Sequence, residues 1–215
     1  YLSDNIRNEI LSYNDPTSTN YDPYRWQVLG LGKTGQVSGL CFPKCYQVTA
    51  SEFPTDPKKT CYGLDWGYNP DPFVLCQLSL YDGKLFVREL IYETGLLNTD
   101  ISKLMTILGV PKNALIIADK SSPQNIADLK SLHGWDNIKR SRNAEIEFGI
   151  KKLNENNLYM TSDSKNAWIE QQKYIYDPKT KKPITKFNHF WDACRYAYEG
   201  LFNVNTPAPA TMGKA

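Results

Sequence analysis

Three consecutive strand-like segments constrain the fold of this chain most strongly. They span residues 60–66, Phe73–Tyr81 and residues 84–92, and each is dominated by apolar, β-branched and aromatic residues. The dipeptide Asp82-Gly83 separates the last two, and this pair is a strong signal for a two-residue hairpin turn. The pattern predicts a three-stranded antiparallel ladder.

Downstream of the ladder, segments with helical spacing alternate with short apolar strands. The predicted strands are 115–119, Ile138–Arg140 and Leu158–Thr161, and the predicted helices are 99–108, 122–132, 144–155, 164–173 and 188–202. A further hairpin is predicted over residues 174–187. This order is typical of an α/β fold with a mixed sheet, an antiparallel three-strand ladder plus parallel strands, flanked by helices.

Composition limits the classes of protein to consider. The net charge is only +2, so any site for a polyanion must come from local clustering of basic residues. The five cysteines form no CxxC pair, and Cys41 and Cys45 have no second Cys or His pair that would complete a zinc site. Free thiols in a reducing compartment are therefore expected. No signal peptide and no apolar run long enough for a bilayer are present, so no membrane association is expected.

Three regions are distinguished along the chain. Residues 1–50 are polar and interrupted by Asp-Pro pairs, and we interpret them as a linker or junction segment packed on the main body. Residues 51–203 hold the ladder and the alternating elements, and the Pro- and Ala-rich residues 204–215 are expected to be a disordered tail. Because the first residue is Tyr rather than Met, we expect the chain to be part of a longer protein.

The sequence Gly30-Leu-Gly-Lys-Thr34 superficially matches a phosphate-binding loop. The full pattern requires glycine at the position of Gln27, and no strand-loop-helix context surrounds the segment. No nucleotide site is therefore predicted in this chain.

Three aspartates stand at the edges of different predicted elements. Asp65 and Asp119 each close an apolar strand, and Asp192 lies in the first turn of the last helix. A carboxylate at a buried strand end is costly, and converging carboxylates repel each other unless divalent cations relieve the repulsion. The pattern favours a metal site for two-metal phosphodiester hydrolysis. Each residue also has a structural explanation: a turn cap at Asp65, a helix cap at Asp119 and a helix-dipole acid at Asp192.

Two further sets of residues accompany the aspartates. His189 lies three residues before Asp192 on the same helix face, where it could orient a water, contact a phosphate or bond a ligand carboxylate; a cap or surface ring is the alternative. A late cluster of basic residues predicts contacts with the DNA backbone, with a solvated face as the alternative. The predicted DNA-binding residues are Lys139, Arg140, Arg142, Lys179, Lys181, Lys182 and Lys186.

The ordered set of motifs resembles the ribonuclease H-like nuclease fold, and in particular the nuclease domain of phage terminase large subunits, which package viral DNA. The resembling segments are Gly63-Leu-Asp-Trp-Gly-Tyr68, Ile116-Ile-Ala-Asp119, Ile146-Glu-Phe-Gly-Ile150 and Asn188-His-Phe-Trp-Asp192. Residues 24–39 resemble the junction at which such a subunit leaves its ATPase domain. The resemblance covers almost the whole chain except the tail.

The resemblance implies a metal-dependent endonuclease that cuts concatemeric viral DNA during packaging. Asp65 would bridge two Mg²⁺ or Mn²⁺ ions, while Asp119 and Asp192 would complete the ligand set; a fourth acidic ligand could be Asp71 or Glu93. The implied partners are double-stranded DNA, the ATPase domain of the same subunit, a small terminase subunit and a portal protein. The implied location is the host cell cytoplasm.

Two other functions remain open from the sequence. The chain could be another ribonuclease H-like nuclease, such as a junction resolvase or a transposase core. It could also be a non-catalytic module that docks on DNA or a portal ring, with acids that serve the fold alone.

Overall fold

The structure of the protein, a computed structural model, describes residues 3–22, 25–32, 39–142 and 145–202. The chain divides after Gly39 into two compact units. In the first, helix α1 (Asp4–Ser12) is followed by a single π-helical turn, Trp26–Gly30, and the hydroxyl of Tyr13 donates to Glu9 Oε1 at 2.6 Å. The predicted tail and the Lys33-Thr34 end of the loop-like sequence lie outside the described residues. The junction role and the boundary at residue 50 stay predictions.

In the described part of the second unit, seven strands form one sheet in the order β1-β7-β4-β3-β2-β5-β6. The strands are β1 (Cys45–Val48), β2 (Lys59–Asp65), β3 (Phe73–Tyr81), β4 (Lys84–Glu93), β5 (Ile116–Ala118), β6 (Ile138–Arg140) and β7 (Leu158–Thr161). Strands β2, β3 and β4 pair antiparallel, and the other neighbours pair parallel. The predicted mixed sheet is confirmed.

Five helices cover the two faces of this sheet in the described residues. Helices α2 (Asn98–Ile107) and α3 (Pro123–Ser131) pack on one face, and α4 (Ile146–Asn154), α5 (Lys165–Lys173) and α6 (His189–Phe202) pack on the other. None of the described helices combines the length and apolar character that a membrane crossing requires. All five cysteines are free thiols, as predicted.

The hairpin predicted over residues 174–187 is reduced to a turn with one antiparallel bridge, between Tyr176 and Pro183. Asp177 Oδ1 accepts hydrogen bonds from the backbone N–H groups of Lys179 and Thr180 at 2.8 and 2.7 Å. The N–H groups of Asp177 and Ile184 donate across the turn to Lys182 O and Ile175 O at 2.8 and 3.1 Å. Pro178 and Pro183 have no N–H to add to this short pairing.

Side-chain alternation along β2 assigns its residues to the two faces of the sheet. Cys61 belongs to the core beneath α6, whereas Tyr62 and Leu64 belong to the core beneath α2 and α3. The same alternation directs Gly63 and Asp65 toward α6. The last residue of β2 is therefore a carboxylate on the α6 face.

Gly63 allows α6 to approach the backbone of β2. A methyl group at this position would lie 1.8 Å from the carbonyl oxygen of Ala193 and 3.0 Å from the backbone nitrogen of Ala197. Only glycine leaves room for this contact. The close approach brings the first turn of α6 to the carboxyl end of β2.

Gly63→Ala is expected to lower the free energy of unfolding by roughly 3 kcal/mol or more, because the clash is with helix backbone that cannot rotate away. Urea unfolding followed by circular dichroism measures the change. Gly109→Ala is the matched control: its methyl group meets open space, and only the φ of +72° opposes it, at a cost of about 1–2 kcal/mol. Equal losses in the two variants would contradict the packing argument.

Candidate metal and active site

Asp65 and Asp119 lie at one edge of the sheet. Strands β2 and β5 are parallel, so their carboxyl ends meet at the same edge, where sites of α/β sheets commonly gather. The backbone N–H of Asp119 donates to Leu64 O at 2.9 Å, and Trp66 Nε1 donates to Asp119 O at 2.9 Å. These bonds fix Asp119 beside the end of β2.

The first turn of α6 brings His189 to this edge. Its Nδ1 lies 3.1 Å from Asp65 Oδ2, and its Nε2 lies 3.6 Å from Asp71 Oδ1. The hydrogen bond with Asp65 raises the pKa of His189, although partial burial opposes that rise. Asp71, in the exposed loop after β2, is thus in contact with the imidazole. Glu93 lies at the end of β4 and is also exposed. The imidazole lies between two carboxylates.

Asp192 is held by donors on both of its oxygens. Arg195 Nη2 and Nε donate to Asp192 Oδ1 at 2.6 and 3.1 Å, and Asn188 Nδ2 donates to Oδ2 at 2.8 Å. The Arg195 side chain is only 6% exposed. Burial tends to lower the pKa of Arg195, but the charge and hydrogen bond of Asp192 outweigh it and raise that pKa. This pairing compensates the charge of a carboxylate that water reaches poorly.

The electrostatics indicate that the three aspartates share one region. Asp65 is 8% exposed, and its pKa is raised to about 6, first by burial, with the charges of Asp192 and Asp119 adding to the effect and His189 opposing it. Burial also raises the pKa of Tyr196, and the negative charges of Asp192, Asp65 and Asp119 raise it further. The Tyr196 phenol, which no sequence pattern distinguishes, is therefore within electrostatic range of all three carboxylates.

The three carboxylates interact with protein donors rather than with one another. Asp65 contacts His189, Asp192 contacts Arg195, and Asp119 Oδ2 accepts a hydrogen bond from Ser121 Oγ. Across the described ranges, no three His, Cys, Asp or Glu side chains are placed so as to hold a single metal ion. The donor atoms at this edge are carboxylate oxygens, which suit hard cations such as Mg²⁺ and Mn²⁺. The metal role of these aspartates stays a prediction.

Glu170 supports the site from α5, and no sequence motif indicates this role. It is 1% exposed, its Oε2 accepts the N–H of Phe190 at 2.8 Å, and its Oε1 accepts the hydroxyl of Tyr92 at 2.8 Å. Burial raises the pKa of Glu170 to about 7, in spite of these hydrogen bonds. An acceptor at the amino end of α6 satisfies a helix N–H that has no partner within the helix. Glu170 therefore fixes the turn that carries His189 and Asp192.

A β-bulge in β4 makes this support possible. The register between β3 and β4 shifts at Leu75/Cys76, so that Glu89 and Tyr92 both reach α5 although they are three residues apart. Glu89 accepts hydrogen bonds from Ala167 N at 2.7 Å and Asn166 Nδ2 at 2.9 Å in the first turn of α5. Strand β4 thus positions α5, and α5 positions α6.

The predicted DNA-binding residues lie on two exposed segments. Arg140 pairs in register with Ala118, which places Lys139 and Arg140 at the same edge as Asp119. The Arg142 backbone N–H donates to Glu199 at 3.0 Å, and its side chain forms an ion pair with Glu199 at 3.7 Å. The other segment leads into α6 and carries the exposed lysines Lys179, Lys181, Lys182 and Lys186. Their role in binding DNA stays a prediction.

A ladder of antiparallel strands extended by parallel strands, with helices on both faces, defines a ribonuclease H-like α/β fold, and solved structures that share it include large terminase nucleases. The nuclease domain of the SPP1 large terminase, g2p, with bound Mn, has a TM-score of 0.64 and 24% identity, over 74% of this chain and 98% of that one. The nuclease of the thermophilic phage G20c, with bound magnesium, has a TM-score of 0.57 and 17% identity, over 76% and 98%.

One curated relative extends this similarity to sequence. The large terminase subunit of Bacillus phage SPP1 is 32% identical over 151 residues, which are 64% of this chain and 35% of that protein. The chain thus spans about a third of the relative's length. No family model matches the chain. The predicted resemblance to the nuclease domain of phage terminase large subunits is confirmed.

Glu170→Gln is expected to change how stability depends on pH. Because the pKa of Glu170 is about 7 in the folded state and near 4.5 when unfolded, wild type loses stability relative to the variant as pH rises between these values. The relative loss is on the order of 3 kcal/mol and is complete above pH ~7. Urea unfolding of both proteins from pH ~4 to ~8 measures it.

Glu147→Gln, at an exposed position of α4, is the control and should show a constant difference from wild type over the same pH range. A constant difference for Glu170→Gln as well would show that Glu170 is not buried against α6 in solution.

Proposed function

We propose that this chain is the nuclease part of a phage DNA-packaging subunit and that it hydrolyses phosphodiester bonds of double-stranded DNA. The observation that carries the proposal is the meeting of Asp65, Asp119 and the first turn of α6 at one edge of the sheet. The similarity to large terminase nucleases, two of them with bound Mn or magnesium, supports the same conclusion.

Asp65, Asp119 and Asp192 would hold two Mg²⁺ or Mn²⁺ ions. Bound in such a pair, divalent ions supply Lewis acidity to the attacking water and to the leaving oxygen of a phosphodiester. Asp65 is central because it lies beside Asp119 in the sheet and contacts His189 of α6. His189 orients the Asp65 carboxylate, and the same imidazole can contact a phosphate oxygen or a water.

The cellular role proposed is cutting of concatemeric viral DNA during genome packaging in the host cell cytoplasm. An ATPase domain elsewhere in the same protein is also proposed, because this chain spans about a third of a large terminase subunit and similar large terminase structures hold ATP-gamma-S or ADP. A small terminase subunit and a portal protein are the further partners proposed for the complete subunit.

Cleavage of supercoiled plasmid in EDTA, Mg²⁺ or Mn²⁺ tests the activity. Wild type is expected to nick and linearise the plasmid only with metal, and Asp65→Asn, Asp119→Asn and Asp192→Asn should lose this activity because each removes an anionic metal ligand. Asp136→Asn, at an exposed position after α3, is the matched control and should cut as wild type does. Cleavage that survives in all three variants would contradict the assignment.

The same proteins report metal binding separately from cleavage. Divalent ions should raise the melting temperature of wild type and of Asp136→Asn, because they bind only the folded state, and should raise that of the three other variants less. Absence of both cleavage and metal stabilisation in wild type would favour a non-catalytic docking module. Selective cleavage of four-way junctions would favour a junction resolvase.

A variant with glutamine at Lys179, Lys181, Lys182 and Lys186 tests the DNA surface. Its affinity for duplexes of any sequence should fall, and the slope of log K against log salt should decrease by roughly 0.9 for each phosphate that the variant no longer neutralises. The control carries the same change at four exposed lysines near the opposite sheet edge: Lys44, Lys58, Lys59 and Lys84. Equal weakening in the two variants would indicate non-specific attraction and would contradict a dedicated surface.

A further inference from the structure

A cavity of about 560 Å³ lies at the end of β2 opposite to Asp65. Its volume falls within the range of small-molecule sites, roughly 300–1,000 Å³. Phe53, Pro54 and Pro111 contribute to its walls, and Tyr62, Gln77 and Arg88 line it from the sheet. None of the residues assigned to the nuclease site contributes to it.

The floor of the cavity is a row of polar side chains on three adjacent strands. Tyr62 pairs in register with Gln77, and Gln77 pairs with Arg88. Alternation places this row on the same face as Leu64 and Leu75, where the sheet is apolar. A polar row in place of a core departs from the local pattern, and such departures concentrate at functional sites.

Arg88 is held in a fixed plane by a hydrogen bond and an aromatic ring. Its Nε donates to Gln77 Oε1 at 2.9 Å, and its guanidinium lies 4.4 Å from the ring centroid of Phe53. Across the described ranges, no hydrogen-bond or carboxylate partner is found for its two terminal nitrogens. Among the lining residues Arg88 alone is charged. The two terminal nitrogens of a guanidinium group can donate parallel hydrogen bonds to a carboxylate or a phosphate group.

Tyr62 provides a second donor beside Arg88. Its side chain is largely buried, and its hydroxyl has no hydrogen-bond partner within the described part of the chain. Burial raises the pKa of the Tyr62 phenol, and the positive charge of Arg88 acts against that rise, which indicates that the two groups are close. The phenol therefore stays a neutral hydrogen-bond donor next to the guanidinium.

We propose that this cavity binds a small organic anion whose oxyanion head, a carboxylate or a phosphomonoester, is held by Arg88 and Tyr62. The apolar body of the ligand would lie against Phe53, Pro54 and Pro111 at the wall. The guanidinium supplies charge and two parallel donors, and the phenol supplies a third donor. This site is independent of the nuclease activity proposed for the opposite edge.

Calorimetric titration with two pairs of probes tests the proposal and separates the two heads. The pairs are 2-naphthoate with 2-naphthalenemethanol, and thymidine 5′-monophosphate with thymidine. In at least one pair the anion should bind about tenfold or more tightly than its neutral match, and the pair that shows the difference identifies the preferred head. Equal affinity within both pairs would overturn the proposal.

Two variants locate the binding. Arg88→Met keeps an unbranched side chain over Phe53 without the charge and should weaken anion binding about tenfold or more, and Tyr62→Phe removes only the hydroxyl and should weaken it several-fold. Arg7→Met, at an exposed position of α1, is the control and should bind as wild type does. If circular dichroism shows that Arg88→Met does not fold, the anion affinity of Tyr62→Phe tests the proposal instead. Wild-type affinity in the folded variants would overturn the proposal.

Discussion

Gly63 of β2 lies against the backbone of α6, and this contact sets the distance between the helix and the sheet. The distance between α6 and the sheet determines whether the first turn of α6 reaches the carboxyl end of β2, where Asp65 lies. Glu170 then fixes the direction of that turn through the Phe190 N–H. The site therefore depends on two backbone contacts that contribute no functional group of their own.

Charge balance at the site depends on basic side chains of the same chain. Arg195 neutralises Asp192, and His189 lies between Asp65 and Asp71. Without such partners, three carboxylates in a poorly hydrated region would repel one another and destabilise the fold. Under the proposed function, a divalent ion that binds Asp192 competes with Arg195 and Asn188 for its oxygens. Metal affinity would then reflect the difference in free energy between Asp192 bound to the ion and Asp192 bound to Arg195 and Asn188.

Local sequence signals are sufficient to predict most of the fold. Strands β3, β6 and β7 have the predicted bounds. For β3 the reason is that its apolar run and the Asp82-Gly83 turn are signals that act over short distances. The hairpin predicted after α5 is present only as a turn with one bridge. Its two prolines have no N–H to lengthen the pairing, although that signal is itself local. Glu170 could not be selected, because a buried carboxyl group is recognisable only once its partner in another element is known. The sequence prediction misses Arg195, although it lies three residues after Asp192, a spacing that could have indicated the pair. The three aspartates can be selected from the sequence as candidate metal ligands, because Asp65 and Asp119 each end a strand and Asp192 lies in the first turn of a helix.

The bulge in β4 has a consequence for how the chain tolerates length changes. Leu90 has no partner in the register of β3 and β4, so it is the extra residue that shifts the phase of the strand. Removing it would give a strictly alternating strand in which Glu89 and Tyr92, then two residues apart, still face α5. Strand β4 can therefore lose this one residue while Tyr92 continues to donate to Glu170, whereas a straight ladder that kept Leu90 would turn Tyr92 to the opposite face. The support of α6 thus depends on the phase of a strand that carries none of the three aspartates.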